Sequence, residues 1–301
     1  MFEASYIKLH ESGQLQKIAD RLYAIYDKCA LCPRQCGANR NNGEIGMCSA
    51  GIRVKVSSVY PHFGEEETLV GKYGSGSIFL THCNLLCVYC QNWDISHGGE
   101  GNELADEQLA DQMIQLQKMR CHNINVVTPT HFLPNIVQAL VFAAERGLNI
   151  PLVYNSSGYE RVEILQMING IFDIYLPDYK YSAPETAAVY SQGATDYPRL
   201  AKAALREMHR QVGVLRTDMN QIAQRGLMIR HLLLPNNLAG TTELIDFIFN
   251  ELDPATYVNI MSQYRPTYKA HQHPEISKTI SNTEYMKAIV AAREKGLINL
   301  H

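Results

Sequence analysis

Short apolar segments alternate with helical patterns along most of the chain, and that alternation restricts the fold to an α/β class with a largely parallel sheet. Ser77, Ile78, Phe79 and Leu80 open the series, and further strands are predicted over 124–127, 150–154, 172–176, 227–234 and 257–261. Helices are predicted between them over 106–119, 133–146, 162–168, 197–212 and 241–252, and a closing helix over 283–295. Gly147 stands where a left-handed C-cap is expected, and Gly296 ends the last helix. Six units rather than eight predict a partial (β/α)6 barrel, open on one side.

The chain ahead of this series reads differently. Apolar residues at helical spacing (Leu15, Ile18, Leu22, Ile25) predict one amphipathic helix over 5–28. Ile52, Val54 and Val56 alternate as in a strand, the acidic triplet Glu65, Glu66 and Glu67 reads as a solvated turn, and 72–77 as a flexible small-residue stretch. We therefore divide the chain into an N-terminal helix and cysteine-rich extension over 1–58, and a partial barrel with a C-terminal extension over 59–301.

Seven of the eight cysteines fall into two groups. Cys83, Cys87 and Cys90 are spaced C-x-x-x-C-x-x-C on the loop leaving the first predicted barrel strand, at the strand end where α/β folds carry chemistry. Three thiolates can hold zinc or an iron-sulfur cluster, and the lack of a fourth nearby ligand leaves one metal position open. Cys29, Cys32, Cys36 and Cys48 lie among turn-forming Pro, Asn and Gly, and fit either a tetrahedral zinc site or a second iron-sulfur cluster.

The first 28 residues mix charges throughout and lack a signal-peptide core, and no apolar run is long enough to span a membrane. A cytoplasmic location is expected, where thiols stay reduced and clustered cysteines read as metal ligands rather than disulfides. A net charge of -3 without any Lys/Arg run leaves no footprint for nucleic acid.

Polar residues follow each later strand: Thr128, Thr130 and His131, then Asn155 and Ser156, then Asp178 and Lys180, with Arg230 inside the fifth strand and Gln263 after the sixth. All are expected to face one mouth, the one holding the three-cysteine loop.

With aromatic Tyr89 just before Cys90, that loop resembles the signature of the radical S-adenosylmethionine (SAM) enzymes. The resemblance implies that Cys83, Cys87 and Cys90 hold a [4Fe-4S] cluster whose remaining iron is chelated by SAM. It also implies that main-chain atoms near Tyr89 meet the adenine, and that reduction of the cluster cleaves SAM to methionine and a 5'-deoxyadenosyl radical. Over most of 70–265 the chain is similar to the glycyl-radical-enzyme activating branch, typified by pyruvate formate-lyase activating enzyme. With the N-terminal cysteine signature it is nearest to an uncharacterised group similar to that enzyme.

That likeness implies SAM-carboxylate contacts from Asn155, Ser156, Asp178 and Lys180, and a counterpart for Arg230. Thr128, Thr130 and His131 stand where the branch carries Gly-Gly-Glu for the SAM amino group, and they are the substitutes expected to touch SAM. The acidic residue that the branch carries near Asn155 is absent, and Gln263 stands where the branch has a histidine after the sixth strand.

The expected partners are a low-potential electron donor such as flavodoxin or ferredoxin, and a protein substrate if the chain is an activating enzyme. Two alternatives stand beside that role: radical SAM modification of another protein, peptide or small molecule, and a non-catalytic iron-sulfur or zinc electron carrier.

Overall fold

The computed structural model describes residues 2–301. Nine strands form one sheet: β1 (Val54–His62), β2 (Ser75–Leu80), β3 (Asn102–Leu104), β4 (Ile124–Val127), β5 (Leu152–Ser156), β6 (Ile174–Pro177), β7 (Arg216–Thr217), β8 (Ala223–Leu232) and β9 (Tyr257–Met261). The parallel pairings run β2-β4, β4-β5, β5-β6, β6-β8 and β8-β9, so six strands follow one another in chain order around an open, partial barrel. β1 pairs antiparallel with β2 and carries β3 on its far edge. The short antiparallel β7 lies on β8.

The parallel strands are nearly continuous apolar runs because both faces are covered. Helix Tyr197–Val212 shows how the covering works: Ala201, Ala204, Leu205, Met208 and Val212 are buried on one stripe, and each Leu or Met there contributes about 2 kcal/mol of apolar burial. Pro at the start of Leu133–Glu145 fits the first helical turn, where an N–H is not needed. Gly147 follows that helix with φ +87°, the left-handed stop expected from the sequence.

Three stretches differ from expectation. The single helix over 5–28 is two helices, Tyr6–Glu11 and Gln14–Ala24, broken where Gly13 takes φ +70°. Leu15, Ala19, Leu22 and Tyr26 of this region share one core with the barrel helices, and the Tyr26 hydroxyl donates to Asn135 Oδ1 at 2.7 Å. The stretch over 72–77 is not flexible throughout, since its second half is the buried start of β2. The acidic triplet is not a solvated turn either: Glu66 is buried, for a reason given below. No helix among the described residues is long and apolar enough to cross a membrane.

The outer edge of β9 is covered by the tail of the chain, where Ile260 N donates to His301 O and His301 N to Val258 O. Covering an edge in this way removes a row of unpaired backbone groups.

Candidate active site

The loop leaving β2 turns sharply because His82 and Leu86, neither of them glycine, take left-handed backbone at φ +67° and +55°. Such residues cost about 1 kcal/mol or more each and persist only where the surroundings hold them. Here they are held from several sides. Arg34 Nε donates to Asn84 O at 3.1 Å, His97 Nε2 to Cys87 O at 3.0 Å, and Lys269 N to Val88 O at 2.9 Å.

The result turns Cys83, Cys87 and Cys90 into a single cavity of about 520 Å³, a size suited to a small-molecule ligand. Each sulfur accepts a hydrogen bond: Cys83 from Leu85 N (3.4 Å), Cys87 from Ser191 Oγ (3.2 Å) and Cys90 from Ser96 Oγ (3.1 Å). Burial pushes the Cys83 thiol up to about 12 and raises that of Cys90, so a cation that binds here must displace protons.

The opposite wall is built from strand ends. Thr128 follows β4 with φ +61°, and Asn155 and Ser156 close β5; both groups line the cavity. Beyond β6, Lys180 Nζ meets Asp178 Oδ2 at 2.8 Å. Burial opposes the Lys180 charge, but Asp178 with the nearby Cys87 and Tyr89 more than offsets it, and the ammonium is held above its ordinary range. Tyr89 packs edge-on against Tyr181 and Tyr264 at one side of the cavity.

Residues 77–209 match the radical SAM superfamily. Over 285 residues the chain is 33% identical to an uncharacterised protein of Methanocaldococcus jannaschii, covering 91% of this chain and 76% of that one. The chain belongs to the radical SAM superfamily. A solved structure of a radical SAM methyltransferase from Sphaerobacter thermophilus has the same fold, with a TM-score of 0.51 at 15% identity, covering 74% of this chain and 65% of that one. Membership in the radical SAM superfamily brings a [4Fe-4S] cluster, SAM, and enzymatic SAM cleavage as its general chemistry. The donor set fits such a group, because the three sulfurs share one cavity with both a cation and hydrogen-bonding side chains.

Thr130 and His131 do not face the mouth, contrary to expectation. The left-handed turn at Thr128 sends the chain inward, and both side chains are buried away from the cavity. Thr130 Oγ1 donates to Glu160 Oε1 at 2.7 Å, and His131 Nε2 to Thr81 O at 2.7 Å. Burial pushes the His131 imidazole down to about 3, so it stays neutral.

Glu160 is an acidic group near Asn155 that sequence reasoning missed, although it lies beneath the cavity wall rather than in it. Burial pushes its carboxyl up to about 7 against hydrogen bonds from Thr130, Tyr154 and Ser156.

Arg230 does line the cavity, but two of its three guanidinium nitrogens are already taken. Nε donates to Glu66 Oε1 at 2.7 Å and Nη2 to Glu66 Oε2 at 2.6 Å, with a further short contact to Glu65. Asn259 Nδ2 adds a hydrogen bond to Glu66 Oε1 at 3.0 Å. The acidic loop after β1 thus reaches β8 and β9 and closes the open side of the barrel with an ion pair. No local pattern announces a partnership spanning 164 residues.

The N-terminal cysteines lie outside this cavity. Cys29, Cys32 and Cys48 are buried and Cys36 half-buried, in turns around the buried Arg40. Among the described residues, no three His, Cys, Asp or Glu side chains converge on a single ion point as they stand. That arrangement is compatible with a cluster at the three-cysteine loop, where each thiolate binds a different iron.

Proposed function

We propose that this chain is a radical SAM enzyme that cleaves SAM reductively and takes a hydrogen atom from a substrate presented at the barrel mouth. The observation that carries the reading is the single cavity shared by Cys83, Cys87, Cys90 and the polar strand ends. When bound through those three thiolates, the cluster supplies the electron that breaks the SAM sulfonium bond. The protein's own part is binding and orientation. Lys180 offers a cation to the SAM carboxylate and Asp178 an acceptor to its ammonium, while Thr128, Asn155 and Ser156 supply hydroxyl and amide groups. The main chain at Tyr89 receives the adenine.

The test is an anaerobic assay of the reconstituted protein with SAM and a strong reductant, in which 5'-deoxyadenosine is measured beside a Cys87→Ala control. Product lost in the control supports the reading. A verified cluster that yields no product, with candidate substrates supplied, would instead favour an electron carrier.

For the substrate, likeness to the activating branch supports placement of a glycyl radical on a partner protein, with an electron donor of the flavodoxin or ferredoxin type. A second reading, modification of a different protein, peptide or small molecule, is favoured by the closed Arg230–Glu66 pair, which occupies Nε and Nη2 of that arginine and leaves Nη1 alone to meet SAM or a partner loop. Electron paramagnetic resonance separates the two: a glycyl doublet on an added glycyl-radical protein supports the first, and cleaved SAM without that doublet supports the second.

A further inference from the structure

Arg40 presents an electrostatic problem that the catalytic cavity does not solve. The side chain is 1% exposed, and none of the ion pairs among the described residues includes it. Its Nη1 donates to His131 O at 2.7 Å, its Nη2 to Cys48 Sγ at 3.5 Å, and its Nε has no partner. The guanidinium also lies over the Tyr26 ring, 4.9 Å from the centroid. A guanidinium cannot shed its proton, and a buried charge requires a counter-charge. The groups at hand are the sulfurs of Cys29, Cys36 and Cys48.

A second observation points to the same place. A Cβ on Gly46 would stand 3.4 Å from both Cys36 Sγ and Cys48 Sγ and 3.2 Å from Arg40 Nη2. Position 46 is a cradle between two thiols and a cation, and any larger residue would fill it.

We propose that Cys29, Cys32, Cys36 and Cys48 hold a second metal centre, a tetrathiolate of net charge minus two, with Arg40 as its buried counter-ion. Four free thiols would leave Arg40 uncompensated, and four free thiolates would overcompensate it. A divalent zinc ion, which draws the four sulfurs together from where they stand, or an oxidised iron-sulfur core with a 2+ charge brings either complex to the same dianion. Binding forms four metal–sulfur bonds and releases four protons to solvent, with no change of oxidation state.

The centre also has a neighbour to brace. Arg34, between Cys32 and Cys36, donates to the carbonyls of Asn84 and Ser191, beside two of the cluster thiols.

The test uses the full chain with Cys83, Cys87 and Cys90 changed to Ala, which removes the catalytic cluster, and measures zinc, iron and acid-labile sulfide per chain. One zinc, or iron with matching sulfide, is expected, and it is lost when Cys29→Ser and Cys32→Ser are added. Zinc alone identifies an ion and iron with sulfide a cluster; both support the proposal. A chain with unaltered circular dichroism but neither metal overturns it, as does metal that persists in the Ser variant. In the same background Arg40→Met is expected to lower metal affinity by about tenfold, as loss of an outer-shell partner does. Unchanged retention against a chelator overturns the counter-ion role.

Discussion

The three-cysteine loop and the four-cysteine turns are made from the same residue, yet they are built to opposite ends. The loop hangs from the end of β2 and turns its sulfurs into a cavity shared with Lys180, Asn155 and Ser156. The turns instead set Cys29, Cys36 and Cys48 about the buried Arg40, outside that cavity. Each region also contains an arginine, half-buried in one case and buried in the other, and the contrast lies in its partners: Arg230 meets two glutamates, Arg40 meets thiols. The lesson is that a cysteine motif acquires its role from what faces the sulfurs, a polar ligand pocket in one case and a fixed cation in the other.

The most severe break of this comparison is Cys87→Ala, expected to reduce 5'-deoxyadenosine formation to background, because the open site tolerates no missing ligand.

Next in size is Arg230→Met. Removing one partner of a buried ion pair costs about 3 kcal/mol or more, and here Glu65 and Glu66 are left facing each other. Thermal or urea unfolding should show the loss, and adding Glu65→Gln and Glu66→Gln should recover most of it. An unchanged midpoint in the single variant would mean that the pair does not close the barrel.

Glu160 gives a smaller, pH-dependent effect. Its carboxyl titrates near 7 in the folded chain and near 4.5 unfolded. The folded state therefore holds its proton over the interval between them, and stability contributed below pH 4.5 is lost as pH rises through 7. The change is about 3 kcal/mol at most. Glu160→Gln should flatten the stability profile between pH 5 and 8, and an equally steep profile would refute the raised carboxyl.

The smallest effect lies outside both regions. Ser281 caps helix Asn282–Lys295 through a capping box with Glu284, and Ser281→Ala should cost about 1 kcal/mol without altering metal content or SAM cleavage.

What could be read from the sequence follows from where the information is local. Helix Tyr197–Val212 and strand Tyr257–Met261 were legible residue for residue, because a long apolar stripe or a buried run bounded by turn residues needs no distant partner. β8 begins earlier than its apolar run because Ala223 pairs with β7, a hairpin with no such run. At the site, the cysteines and strand-end polar residues were legible as types at positions. The directions of Thr130 and His131 were not, since one left-handed residue at 128 reverses them. The Glu66–Arg230 pair was invisible for a different reason: each half looks like an ordinary surface charge until the barrel brings them together.

The clasp on the cluster loop has a consequence for biosynthesis. Thr267 Oγ1 donates to the carbonyl of Tyr89, across 178 residues of chain, and Tyr268 stacks on Trp93 just beyond the last cysteine. A ribosome therefore releases the three thiols long before it releases the segment that fastens their loop. Iron delivery has an interval in which the loop is made but not yet clasped, and a chain stalled short of residue 267 would present its cysteines on an untethered turn.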